Sequence, residues 1–329
     1  MSLSLRPMSL GEILDTAIQM LKSKLGLFAG IAFFPGLALL ILSMASNYAE
    51  AGTDAPAPST LQVVVSYAAT FAVFLAWVVV HAMSRAAFSL AASRVYLGEP
   101  VTIRAAYGAF ASRKGSLVGL GILRGIYAFW PLIPVAILGG IIVAALSVPA
   151  NSPIYWIVIV GLITLGGIPS IALYSRYALA YPAAAIEDRI ASSAIDRSIE
   201  LGQGRRWKVC FGFLLPTGIG VAFNYGVTAL IELLKQPRSP LADSPLTLSA
   251  IDEISTLLLS LVFSPLTAIV LTLLYYDLRV RKESFDVVHM LDETYPDEAY
   301  QEADLPRGSG EVLTGQETLN TQTSTEEKP

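Results

Sequence analysis

Five long stretches of the chain contain no Asp, Glu, Lys or Arg: 25–49, 55–84, 125–175, 209–231 and 254–276. A hydrocarbon core about 30 Å thick is crossed by about 20 helical residues, so four of these stretches each cross once and the 51-residue stretch 125–175 crosses twice. Its turn falls at Val148-Pro-Ala-Asn-Ser-Pro153, where two prolines and an asparagine break the pattern. Six transmembrane helices are expected.

The segments ahead of these runs have a different period. Ile195 and Ile199 stand four apart on one helical face, and Arg205 and Arg206 follow just before the apolar residues from Val209 onward. Ile103 and Tyr107 repeat that spacing ahead of Arg113 and Lys114, and Ile13 and Ala17 do so ahead of Lys24. The anchors Ile13, Ile103 and Ile195 lie 90 and 92 residues apart. This predicts an all-α integral membrane bundle built from three repeats, about 9–97, 98–188 and 189–282, each an amphipathic helix followed by a transmembrane hairpin. In the first, Ser9 and Glu12 form a capping box, and Leu10, Ile13, Leu14, Ala17 and Leu21 share one face. The second span of unit one is expected to continue to Leu97.

Composition agrees: 54% of residues are hydrophobic, 15% are charged and the mean hydropathy is +0.59, which excludes an ordinary soluble domain. Charge adds sidedness. Of the 22 Lys and Arg, only Lys235 and Arg238 lie in the segments joining the two spans of a hairpin, so both termini and the amphipathic helices are expected on the cytoplasmic side. The formal charge of −4 hides an uneven distribution, because residues 283–329 hold 12 acidic and two basic residues. That stretch reads as an acidic disordered cytoplasmic tail, and the membrane domain 1–282, at +6, should attract anionic lipids to its cytoplasmic face.

Candidate chemistry is confined to a few ionisable residues at membrane depth. Arg124 lies about two turns inside the third span, ahead of Trp130-Pro131 and Pro134. It either lines a polar cavity or holds an anionic headgroup, or it pairs with a carboxylate of the bundle. His81 and Arg85 are four apart on the second span, and Ser175-Arg176 stands 91 residues after Ser84-Arg85. Asp277 sits at the exit of the sixth span, with Arg85, Arg176 or Arg124 as its expected partner. These five are the candidate ligand-binding residues. No catalytic residue, metal site or cofactor is expected, since Cys210 is the single cysteine and His81 and His289 are far apart. Glu187-Asp188 and Asp196/Glu200 read as ion-paired helix surface beside Arg189, Arg197 and Arg205.

Three blocks carry a resemblance: LRPMSLGEILDTAIQMLKSKLGLF, YPAAAIEDRIASSAIDRSIELGQGRRWKV and PLTAIVLTLLYYDLRVRKESFD. Together they resemble bacterial polytopic membrane proteins grouped with the membrane domain of glycerophosphodiester phosphodiesterases. The resemblance implies a helical domain of the bacterial cytoplasmic membrane. Phosphodiesterase activity resides in a separate soluble barrel in such fusions, and this chain has no room for one. The expectation is therefore a non-enzymatic, multi-pass membrane protein that organises or assists protein partners at the cytoplasmic face. The alternative is a transporter or lipid-handling protein with an anion or headgroup site near Arg124. Nucleic acid is not an expected partner.

Overall fold

The computed structural model describes residues 6–53, 60–145, 152–234 and 245–283. All of them belong to one compact unit, Met1–Phe285. Most of the expected turn at 148–153, the connection carrying Lys235 and Arg238, and the acidic tail after residue 283 lie outside the described residues. The described residues are helical, in the order α1 (Leu10–Ser23), α2 (Leu25–Thr53), α3 (Thr60–Tyr96), α4 (Ile103–Gly108), α5 (Lys114–Phe129), α6 (Leu132–Ala145), α7 (Pro153–Arg176), α8 (Ala180–Ile186), α9 (Ala191–Gly202), α10 (Arg206–Leu234) and α11 (Pro245–Glu283).

Five helical segments are long and apolar enough to cross a membrane: Leu25–Ser46, Val63–Tyr96, Tyr155–Ile186, Arg206–Leu234 and Ala250–Glu283. The pair α5 and α6, bent by 49°, is apolar enough together to make a sixth if it crosses as one broken span. The bend falls at Trp130-Pro131, where proline lacks the N–H of the helical ladder and its ring crowds the preceding turn. The molecule is an all-α membrane bundle. Its outward faces carry Phe71, Ile137, Trp156, Ile163 and Leu258, each more than half exposed, a surface that suits hydrocarbon and not water.

Local chemistry explains the ends of the elements. Ser9 caps α1: its Oγ accepts from the Glu12 N–H at 3.2 Å, and the Glu12 carboxylate accepts from the Ser9 N–H at 2.6 Å. The face this cap directs inward buries Ile13, Ala17, Met20 and Leu21. Helix α3 does run on to Tyr96, and it stops at Gly98, whose φ of 81° is open to glycine without strain. The helix expected around Ile103 is only six residues long. Gly108 weakens it, and its attachment is through Tyr107, whose hydroxyl donates to the Ile31 carbonyl at 2.8 Å and lies 2.7 Å from Ser84 Oγ.

Buried side chains gather at the basic end of the bundle, where Phe28, Ile31, Phe88, Tyr96, Leu179, Leu201, Leu274 and Tyr275 fill the space between span ends and short helices. Two polar knots tie that end together. In the first, Asp277 accepts from the Met8 N–H at 2.7 Å, from Lys208 Nζ at 2.6 Å and from Arg281 Nε at 3.0 Å. Lys208 and Arg281 also donate to the Met8 carbonyl, so α1, α10 and α11 close on one carboxylate. This corrects the expected partners of Asp277. Helix α11 continues to Glu283 and brings Arg281 one turn beyond Asp277, while Lys208 opens the neighbouring α10.

The second knot is centred on Glu187, just after α8. It accepts from Arg197 at 2.9 and 3.0 Å, from Arg189 at 2.6 Å and from the Tyr275 hydroxyl. Arg197 reaches Glu200 and Glu283 as well. Asp188 pairs with Arg113. The paired reading of Glu187, Asp188 and Glu200 matches these contacts. Burial works against the charge on Glu187, but the three donors outweigh it and hold the carboxyl down at about 2. Burial likewise opposes the charge on Arg197, and its bonds to Glu187, Glu200 and Glu283 hold it protonated.

Candidate functional site

Arg124 stands ten residues into α5, about 15 Å along its axis from Lys114. Its side chain is buried, with 2% of the residue exposed, and Nε, Nη1 and Nη2 have no hydrogen-bond acceptor among the described residues. No carboxylate of the described bundle pairs with it, so the structural-pair reading of this arginine is not what the fold builds. Aromatic faces surround it instead. The guanidinium carbon lies 3.9 Å from the centroid of the Tyr174 ring and 5.9 Å from that of Tyr181. Gly121, one turn before Arg124, gives Tyr181 room, since a Cβ there would stand 2.8 Å from the Tyr181 hydroxyl oxygen. Phe129 and Phe213 pack on Tyr174 with centroids 5.8 and 5.0 Å away.

A desolvated cation over an aromatic ring gains about 2 kcal/mol. The effective penalty for a buried, unpaired ion is several kcal/mol. The cage therefore leaves Arg124 short of compensation, and an anion is the ligand that would supply it.

The sequence candidates divide between two places. Arg85 and His81 of α3 are bonded, Arg85 Nε donating to His81 Nε2 at 3.1 Å, and both lie within electrostatic range of Arg124. Trp77 stacks on His81 with centroids 5.0 Å apart. Arg176 is elsewhere, at the end of α7, in a smaller cavity of about 410 Å³ that also includes Arg206, Trp207 and Cys210. Asp277 is in the knot with Met8, Lys208 and Arg281, away from the cluster.

The larger cavity, about 800 Å³, begins at Arg85 and Tyr174 and extends between α10 and α11. Tyr174 lines it, and the Arg124 guanidinium lies over that same ring without itself lining the space. Thr217 lines it with a buried hydroxyl that has no partner among the described residues, and Ser170 Oγ, one turn before Tyr174, is also unpartnered. Farther along, Asn224 Nδ2 donates to Thr256 Oγ1 at 3.3 Å and Thr228 Oγ1 to Asp252 at 3.2 Å. Reasoning from the sequence missed Tyr174, Tyr181, Thr217 and this polar lining. The signal present was the recurrence of a polar residue every four positions at Asp252, Thr256, Ser260 and Ser264 in a largely apolar helix.

Among the described residues no group of three or more His, Cys, Asp or Glu is arranged to hold a metal ion. The arrangement can bind negative charge. No curated protein and no solved structure matches the chain. A family model described as "Domain of unknown function (DUF7847)" matches residues 8–278, most of the chain and all but the last residues of the final apolar helix, and the protein belongs to that family.

Proposed function

We propose that this is a non-enzymatic integral membrane protein that binds and handles an anionic amphiphile, with the charged headgroup at Arg85 and Arg124. The observation that carries the reading is the buried guanidinium of Arg124, which has three donor nitrogens and no acceptor among the described residues. A phosphate or carboxylate headgroup at the Arg85 end of the cavity lies in the field of both guanidinium groups. Rotation of Tyr174 then uncovers Arg124 for a bidentate pair. The apolar lining contributed by Phe129, Phe213 and Phe263 accommodates the tail.

The same proposal places the chain in the bacterial cytoplasmic membrane with both termini inside. The distribution of Lys and Arg supports this, because the described basic side chains collect at one end. Three-unit repetition also belongs to the proposal. It is supported by the order of elements, in which α1, α4 and α9 each precede a pair of spans. A partner-organising role is the second reading, favoured by Trp207, 75% exposed between Arg206 and Lys208 at that end.

Native mass spectrometry of protein extracted gently from its own membrane separates the two. Retained anionic lipid on the wild-type chain, lost in Arg124→Met, is the expected result. A chain that carries no lipid and arrives with a stoichiometric protein companion overturns the proposal in favour of the organising role.

A further inference from the structure

We infer that the α10–α11 face is a path along which the headgroup of an anionic phospholipid crosses the bilayer, while its acyl chains stay in the surrounding lipid. The inference rests on the headgroup site proposed above, which forms one end of the path.

The two helices run antiparallel in a register set by close approaches. A Cβ on Gly212 would meet Leu274 at 3.0 Å, one on Gly220 would meet Phe263 at 2.9 Å, and Asn224–Thr256 and Thr228–Asp252 are the hydrogen-bonded rungs beyond them. Along this register α11 presents Asp252, Thr256, Ser260, Ser264 and Thr267, and α10 answers with Thr228, Asn224 and Thr217. From Asp252 to Thr267 the stripe is about 22 Å long, most of a hydrocarbon core about 30 Å thick. Such a run of hydroxyl, amide and carboxylate groups has no use in anchoring a span to lipid. It lowers the cost of carrying a polar group through hydrocarbon, which is several kcal/mol for a single unsatisfied group and more for a charge.

The cavity of about 800 Å³ occupies the middle of this stripe, with Thr256, Ser260, Ser264, Thr267, Asn224 and Thr217 in its lining. Its cationic end is Arg85, with Arg124 over the Tyr174 ring, and beyond Thr256 in its lining the same helix reaches Asp252 and Glu253 one turn away. An anion is thus held at one end and released toward the other. The occupant is a lipid and not a free anion because the cavity wall is also the outer surface of the bundle: Ile171, Val221 and Tyr225 line the cavity and are 44%, 48% and 70% exposed. Acyl chains can leave sideways between these residues.

The test reconstitutes the full chain in phosphatidylcholine vesicles holding a trace of phosphatidylglycerol with an NBD-labelled acyl chain. Dithionite destroys only the outer-leaflet label unless the lipid crosses. The expected result is loss of the inner-leaflet label as well, slowed about tenfold by Thr256→Leu or Ser264→Leu, a barrier increase of about 1.4 kcal/mol, and restored by Ser264→Thr. Unchanged rates in both leucine variants overturn the path, as does protection of the inner-leaflet label in wild-type vesicles. If such a protected preparation still retains lipid in native mass spectrometry, the path fails and the headgroup site stands. If lipid is neither retained nor moved, both fail. Release of trapped inorganic phosphate without movement of labelled lipid assigns the stripe to a soluble anion and also overturns the inference.

Discussion

Arg124 and Asp277 are both buried charges, yet their surroundings give them opposite consequences. Asp277 receives donors from Met8, Lys208 and Arg281, so its charge is fully used by the fold. Replacing it by Asn leaves Lys208 without its carboxylate, and removing one partner of a buried pair costs about 3–5 kcal/mol. Thermal unfolding in detergent should show a large drop for Asp277→Asn, and an unchanged midpoint would remove the knot from the account of stability. Among the described residues Arg124 has no such partner. Exchanging a buried charge for a well-packed apolar side chain is often stabilising, by about 1–4 kcal/mol, so Arg124→Met is expected to raise the midpoint while abolishing lipid retention. A lowered midpoint would mean that the arginine serves folding. Glu187 adds a pH dependence. Its carboxyl is held at about 2 against 4.5 for the unpaired group, so the folded state binds fewer protons. Its contribution is complete above pH 4.5 and disappears as the pH falls toward 2. The difference in unfolding midpoint between wild type and Glu187→Gln should shrink across that window.

At the scale of elements, the proposed path depends on how closely α10 and α11 approach. Gly220 faces Phe263 and Gly36 of α2 faces Leu257, where a Cβ would stand 2.9 and 2.5 Å from side-chain carbons. The Phe263 atom is a Cβ, so relief requires the helices to separate, whereas the Leu257 atom is the end of a flexible side chain and can rotate away. Gly220→Val is accordingly expected to cost about 1–3 kcal/mol and to disturb lipid movement, and Gly36→Ala to cost less. The comparison is made by unfolding midpoints on the two variants. The bend between α5 and α6 has a similarly local origin at Pro131, and Arg124 sits before it on the straight part of α5. Arg85 and Arg176, alike in their Ser-Arg context, face different cavities because α3 continues to Tyr96 whereas α7 ends at Arg176 and turns into α8.

At the scale of the whole molecule, most of the described basic side chains and the buried side chains share the end where span ends meet the short helices. Orientation is testable there. With Cys210→Ser as background, a cysteine at the exposed position Gln203 should react with a membrane-impermeant maleimide in inside-out vesicles and stay unlabelled in intact cells. The reverse pattern would invert the proposed sidedness.

Class, and five to six apolar helices long enough to span, were readable along the chain because burying a helix in hydrocarbon is a demand on consecutive residues: length, absence of charge, and prolines where a helix bends. The cap at Ser9 and Glu12 was readable for the same reason, since both partners lie within one turn. Arg124, Arg85 and His81 stood out as charged or polar residues in apolar runs, and the fold does gather them. The separation of Arg176 from that cluster, the partners of Asp277, the aromatic cage of Tyr174 and Tyr181, and the cavity between α10 and α11 depend on residues up to 269 positions apart meeting in space. Such meetings are set by helix register and by how far each helix continues beyond the bilayer, neither of which is a property of any one segment. Tyrosines in apolar helices are common, and the fold alone makes these two the cover of an otherwise unpartnered charge.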